Sequence, residues 1–492
     1  MFTPRSLVPL RRILFACGVS LVGLSSAVAQ VAISTLAGSS PAIASGNVNA
    51  TGTAARFNAL SSVAVDKAGN IYVADTGNHT IRKVTAAGVV TTLAGSGVEG
   101  SANGTGAAAS FRFPRGVATD NTNVYVADTL NHAIRQIVIS TGVVTTLAGT
   151  VGTSGLANGT GVAALFSTPN GLAVSGTDLY VADPRDNTIR KIVISSGVVT
   201  TFAGTAGTNG FADGTGVAAT FNGPSAIAAD GTTNLYVADT FNHAIRKIVI
   251  DTAAVTTLAG TANATKGSVD STGAAASFNS PRGLVVSGAN LFVADTGNQT
   301  LRQIVLATGV VTTIAGTAGA IGTTDAIGTA ARFQDPTGIG ISTGGTLYIA
   351  DTDNHTLRTG AVMLVGFHTA DTNRDFRIGL IELTRVIELY NTRFDTGAGT
   401  VRTGRYQIAT GTEDGFSSDV TRDPTAVVTL PTYHAADYNC NGRIERSELT
   451  RVITLYHTRY DTGAGKVRTG LYKVATGITT VDGYTTDPTR AP

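Results

Sequence analysis

The chain has no tryptophan, two cysteines and two methionines, and only 14% of its 492 residues are charged. Each scarcity excludes something. With 35 cations against 33 acids there is no electrostatic case for a nucleic-acid partner. Beyond the first thirty residues no apolar run is long enough to span a bilayer, and the closing TTDPTRAP has no hydrophobic sorting tail. Low charge does not mean membrane here, and 42% hydrophobic residues is too high a share for disorder. With 59 glycines, the chain has to fold around small residues, valines and turns, as a turn-rich β protein does. Its length admits several domains or one large repeat domain.

The start, MFTPRSLVPLRRILFACGVSLVGLSSAVAQ, sets Arg5, Arg11 and Arg12 before an apolar run and ends on the small-residue pattern Ala27-Val28-Ala29. That order is expected of a secretory signal peptide over residues 1–29. Ile13 to Leu24 is too brief for a comfortable span. Cleavage would remove Cys17 and leave Cys440 alone, so no intrachain disulfide could form in a compartment that would permit one. It would also leave 32 cations against 33 acids. The expected location is secreted or cell-envelope associated, with no membrane span after cleavage.

What the chain has in abundance is repetition. VADTGNHTIRKV (Val73 to Val84) returns as VADTLNHAIRQI, VADPRDNTIRKI, VADTFNHAIRKI, VADTGNQTLRQI and IADTDNHTLRTG. Their acids, Asp75, Asp128, Asp183, Asp239, Asp295 and Asp351, are spaced by 53, 55 or 56 residues. A fixed period of this size signals a repeat architecture. A second word places Phe57, Phe111, Phe166, Phe221, Phe278 and Phe333 in register, and VVTTLAG follows most copies. Within one copy, Ser225–Ala229, Leu235–Ala238, Ala244–Ile250 and Ala254–Ala259 read as four strands. A twisted four-stranded sheet cannot cover both apolar faces alone, so radial stacking into a six-bladed propeller is the economical solution. The sixth copy lacks its VVTTLAG strand, whereas VAISTLAG begins at Val31. The N-terminal strand is therefore expected to close the last blade, placing the ring over residues 30–362.

These D-x-x-N-H-x-I words resemble NHL repeats, which form six-bladed β-propellers. The third copy departs with Asp186-Asn187 and the fifth with Asn298-Gln299. A site copied six times is expected to be structural, since an active site breaks pseudo-symmetry and packing preserves it. Asp75 falls at a strand end, Asn78 in the turn, and Arg82 on the return strand, opposite Val73 and diagonal to Asp75. Asp and Asn are expected to accept hydrogen bonds from turn backbone. No histidine stands outside a repeated pattern, so no dedicated general base or three-His zinc site is visible. NHL repeats are also similar to the propeller of the peptide-amidating lyase, and six-bladed propellers include metal-dependent lactonases. That alternative would look to breaks in symmetry: Arg185, Asp186, Lys266, Asp325 or Asp353.

After the ring, HTADTNRDFRIGLIELTRVIELYNTRFDTGAGTVRTGRY returns 66 residues later as HAADYNCNGRIERSELTRVITLYHTRYDTGAGKVRTGLY. Calcium-loop positions one, three, five and twelve carry Asp371, Asn373, Asp375 and Glu382, then Asp437, Asn439, Asn441 and Glu448. Position seven offers the backbone carbonyl of Arg377 or Arg443. Position nine is Gly379, implying water, or Glu445. Gly442 suits the sharp turn at position six, whereas Phe376 is expected to weaken the first site. Each loop leads into a stripe, Leu383, Val386, Ile387 and Tyr390, or Leu449, Val452, Ile453 and Tyr456, at helical spacing. A loop followed by one helix resembles dockerin-type calcium repeats, here over 363–428 and 429–492, and the resemblance implies Ca²⁺ and a possible cohesin-like partner.

The expected protein is thus mainly β, a propeller with a small α-containing tandem calcium module, and non-catalytic. Its propeller surface would recognise protein or carbohydrate. The alternative is a propeller lyase or lactonase tethered by those modules.

Overall fold

The computed structural model describes residues 30–39, 45–261 and 265–363, together with eight three-residue strands between 393 and 486. The six expected copies become six antiparallel sheets. Blade 4 is typical: Pro224–Ala229 pairs with Asn234–Asp239, which pairs with Ala244–Val249, which pairs with Ala254–Ala259. Period-two alternation is weak in the second strand, where Leu235 to Asp239 are all buried. Both faces of that strand meet a neighbouring blade, so neither needs polar residues.

Six apolar clusters fill the ring, each lying between adjacent blades. Without tryptophan, the large side chains at each interface are tyrosine and phenylalanine, such as Tyr72 and Phe111 with Ala74 and Ala94 between blades 1 and 2. The inner strands touch one another in sequence, and blade 6 meets blade 1, so the ring is closed.

The closing strand is the expected one. Gln30–Ala37 pairs antiparallel with Thr356–Met363, from Gln30 opposite Met363 to Ala37 opposite Leu357. Val31 and Ile33 sink into the cluster shared with Phe292, Leu301 and Ile349. The Gly/Thr-rich insert before each Phe, which the repeat pattern left without structure, lies along the outer strand of its own blade. Gly104–Thr105, Gly159–Thr160 and Gly214–Thr215 form short fifth strands there, and single bridges such as Thr51 to Val89 do the same elsewhere. This cover leaves fewer outer-edge backbone groups open to unwanted pairing.

Opposite each Arg of the repeated word the outer strand carries a bulge: Ile81 faces Ala94, but Arg82 faces Thr92. The same shift recurs in blades 2 to 5 and in the closing strand. The glycine ending VVTTLAG is required at this point. Gly95 has φ +106°, and a Cβ there would lie 2.6 Å from the His79 carbonyl oxygen.

Past the ring, Arg393–Asp395 pairs with Thr400–Arg402, and Arg459–Asp461 with Lys466–Arg468 in the same register. Hairpins Tyr406–Ile408 with Phe416–Ser418 and Tyr472–Val474 with Tyr484–Thr486 follow. The duplication seen in sequence is therefore matched in backbone pairing. The expected signal peptide, both calcium loops and their helical stripes lie outside the described residues. Among the described residues no helix is long and apolar enough to cross a membrane.

Candidate functional site

The repeated acid and arginine meet inside five of the six blades, blade 3 being the exception, where Arg190 donates to the Leu165 and Ala157 carbonyls and to Asn158 instead. Arg82 Nη1 donates to Asp75 Oδ2 at 2.7 Å, with both side chains wholly buried. Asn58 N–H donates to the other carboxylate oxygen at 2.8 Å, and Asn78 Nδ2 donates to Oδ2 at 2.8 Å. Asn78 is thus a donor here, to Asp75 and to the Gly46 carbonyl, rather than the acceptor its turn position suggested. The second arginine nitrogen reaches Asn49 Oδ1 at 2.7 Å, and the guanidinium sits 5.2 Å from the centre of the Phe57 ring. This explains why Phe, Asp and Arg recur together: a buried cation needs hydrogen-bonded oxygens and a π face. Burial pushes the Asp75 carboxyl up to about 6 against the pull of Arg82.

The histidine position is a blade-to-blade link. His79, His132, Asn187, His243, Gln299 and His355 all take left-handed backbone, with φ between +53° and +60°. Ala59 N–H donates to His355 Nδ1 and Ser280 N–H to His243 Nδ1, each at 3.0 Å. Gly223 N–H donates to Asn187 Oδ1 at 2.8 Å, and Asp335 N–H to Gln299 Oε1 at 2.7 Å. Asn187 and Gln299 break the sequence pattern yet keep the acceptor. Burial holds the His243 and His355 imidazoles below their ordinary value, which favours the neutral acceptor form.

Blade 3 departs further. Asp186 replaces the donor amide, is buried, and has an Oδ2 with no partner among the described residues. Asp183 takes the Ser167 and Thr168 N–H groups at 2.8 and 2.7 Å. Burial, then the charge of Asp186, push the Asp183 carboxyl up to about 7. Of the other sequence candidates, Asp325 is not a free symmetry break. It pairs with Arg358 Nη2, the place held by Asp270 in blade 5 and Asn49 in blade 1. Arg185, Lys266 and Asp353 are exposed.

The variable feature lies at the axis. At the head of the inner strands, Ser61, Arg115, Asn170, Ser225, Arg282 and Thr337, one from each blade, line a single cavity of about 70 Å³. The ring is tight because small residues follow: a Cβ on Gly116 would collide with the Asn170 carbonyl. Three of the six side chains are tied to the wall. Ser61 Oγ donates to the Arg115 carbonyl at 2.8 Å, Ser225 Oγ meets Thr240 Oγ1 at 2.5 Å, and Thr337 Oγ1 donates to the Ser61 carbonyl at 3.0 Å. Arg115 and Arg282 belong to blades 2 and 5, opposite one another in a ring of six. Among the described residues, arginine ion pairs form at Arg82, Arg112, Arg135, Arg246, Arg302 and Arg358, and none at either channel arginine. Repeat alignment missed this site, although the column four residues after the repeated Phe reads Ser, Arg, Asn, Ser, Arg, Thr and so mixes two cations with neutral residues.

The expected calcium ligands Asp371, Asn373, Asp375, Arg377, Glu382, Asp437, Asn439, Asn441, Arg443, Glu445 and Glu448 lie outside the described residues. Among the described residues no group of three or more His, Cys, Asp or Glu could hold a metal ion.

The family model for the NHL repeat matches residues 57–84 and 333–359, within the first and last blades. NHL repeat-containing protein 2 of Gallus gallus is 30% identical over 330 residues, covering 60% of this chain and 45% of that protein. The chain thus spans about half the length of the NHL repeat-containing relatives it matches. A solved Bacteroides thetaiotaomicron protein of unknown function shares 20% identity and a TM-score of 0.52, covering 68% of this chain and 76% of that one. An auxiliary nutrient binding protein from Bacteroides ovatus gives 17% and 0.50, covering 68% and 77%. The solved structures share the fold. The chain carries NHL repeats on a six-bladed propeller.

Proposed function

We propose that this chain is a non-catalytic recognition module, exported to or beyond the cell envelope, that binds protein or carbohydrate through the propeller. The observation that carries this reading is the contrast between repeated and variable positions. In five of the six copies the acid, amide and arginine are consumed by contacts with one another, and in all six the His, Asn or Gln that follows is consumed by a contact to the next blade. The residues that differ from blade to blade open onto the channel mouth, where a ligand can reach them.

The metal-dependent lyase or lactonase reading receives less support. The cavity is lined by Arg, Ser, Asn, Thr and small or aliphatic residues, and two guanidiniums repel a divalent cation. In the proposed arrangement the C-terminal modules fold around Ca²⁺ and serve as an attachment point, with a cohesin-like partner as the candidate.

A pull-down from extracellular material on the immobilised full chain, with and without chelator, tests the reading. Saturable retention of one protein or polysaccharide is expected, with no turnover of lactone substrates. Chelator-sensitive lactone hydrolysis would overturn it.

A further inference from the structure

We infer that the channel mouth binds a small oxyanion, a carboxylate or phosphate group at the end of a ligand, held between the guanidiniums of Arg115 and Arg282. The inference rests on the recognition reading and names the chemistry of its ligand. The fold does not require arginine at these places, since the equivalent positions in the other four blades are Ser61, Asn170, Ser225 and Thr337. Among the described residues, no acidic side chain lines the cavity to neutralise the two charges.

Partial loss of water at the channel wall, and then the facing charge of Arg282, hold the Arg115 guanidinium below its ordinary value, while both arginines keep an exposed surface at the mouth. The two like charges facing one another across the channel repel, and an anion between them would relieve that repulsion. Guanidinium is the group suited to this, because its planar fork pairs with two oxygens of one carboxylate or phosphate. The Asn170 amide has no side-chain partner among the described residues and adds a further donor on the same rim. Below the rim the wall turns to Val63, Leu172, Ile227, Leu284 and Ile339, so a charged group stays level with the arginines.

Size narrows the class. A cavity of about 70 Å³ has room for a few water molecules. It falls below the roughly 300–1,000 Å³ of sites that engulf a whole drug-sized ligand. A terminal anionic group enters, and the rest of the ligand stays outside on the propeller face.

Titrating the full chain with inorganic phosphate, and separately with acetate, at fixed ionic strength is expected to raise the thermal midpoint saturably and to move arginine Nε–H resonances. A stronger response to one probe assigns phosphate or carboxylate. Arg115→Gln or Arg282→Gln should weaken the response about tenfold, whereas Arg185→Gln, exposed and outside the cavity, should leave it unchanged. Removing one of two repelling charges should leave the unliganded midpoint of each channel variant at or above that of the parent, which separates loss of the site from loss of the fold. No saturable response in the parent, or equal loss in Arg185→Gln, overturns the inference. The recognition reading fails by a different result, chelator-sensitive lactone turnover, whether or not phosphate binds.

Discussion

Arg82 Nη1 lies 2.7 Å from Asp75 Oδ2, and both side chains are fully excluded from solvent. Four other blades repeat this contact at 2.7 to 2.9 Å. Stranding one partner of such a pair leaves an uncompensated buried charge. Arg82→Met is expected to cost about 3–5 kcal/mol, read by urea denaturation, and adding Asp75→Asn should recover part of it. Because the pair is buried, 1 M salt should change the loss little. A full loss of effect in salt would place the pair at the surface.

Blade 3 offers a pH-dependent counterpart. The Asp183 carboxyl is raised from its ordinary 3.8 to about 7, so the folded chain holds that proton more tightly than the unfolded one. Its contribution to stability is complete below pH 3.8 and is lost as pH rises through about 7. Asp186→Asn restores the donor amide used in the other blades and removes the facing charge. It should stabilise the protein by roughly 1–3 kcal/mol at pH 8 and by clearly less at pH 5. Equal urea midpoints for parent and variant at pH 8 would refute the coupling.

The closing strand can be tested far from any site. Ile33 is 4% exposed and packs in the cluster with Phe292 and Ile349. Ile33→Ala should cost about 2–5 kcal/mol and speed hydrogen exchange along Thr356–Met363, its paired strand. Unchanged exchange there would mean that the last blade holds without it.

For the C-terminal modules, isothermal titration of the full chain with Ca²⁺ is expected to give dissociation constants of about 10⁻⁴ to 10⁻³ M. Glu448→Gln should abolish the tighter site, and Glu382→Gln should alter only the weaker one, in keeping with Phe376 at the sharp turn. Binding untouched by Glu448→Gln would show that the second loop is misassigned.

Much of the ring was legible beforehand because blades are local. Four strands lie within about forty residues, so β-branched runs, turn residues and the Phe, Asp and Arg register mark them; Ala254–Ala259 was placed to the residue. The swap of Gln30–Ala37 into blade 6 followed from counting strands. Less legible were the polarity of Asn78, whose amide donates, and the role of His79, whose acceptor serves the next blade. Both depend on which neighbour stands opposite, and a single repeat does not contain that neighbour.

The amino-acid sequence by itself determined the repeat, the blade and the strand that closes the ring, because each follows from local patterning and from the VVTTLAG word that the sixth copy lacks. Only the tertiary structure decided that Arg115 and Arg282, far apart in the chain, share one cavity, lined by no acid among the described residues. Ring closure brings every third blade face to face across the axis, and no local pattern carries that distance.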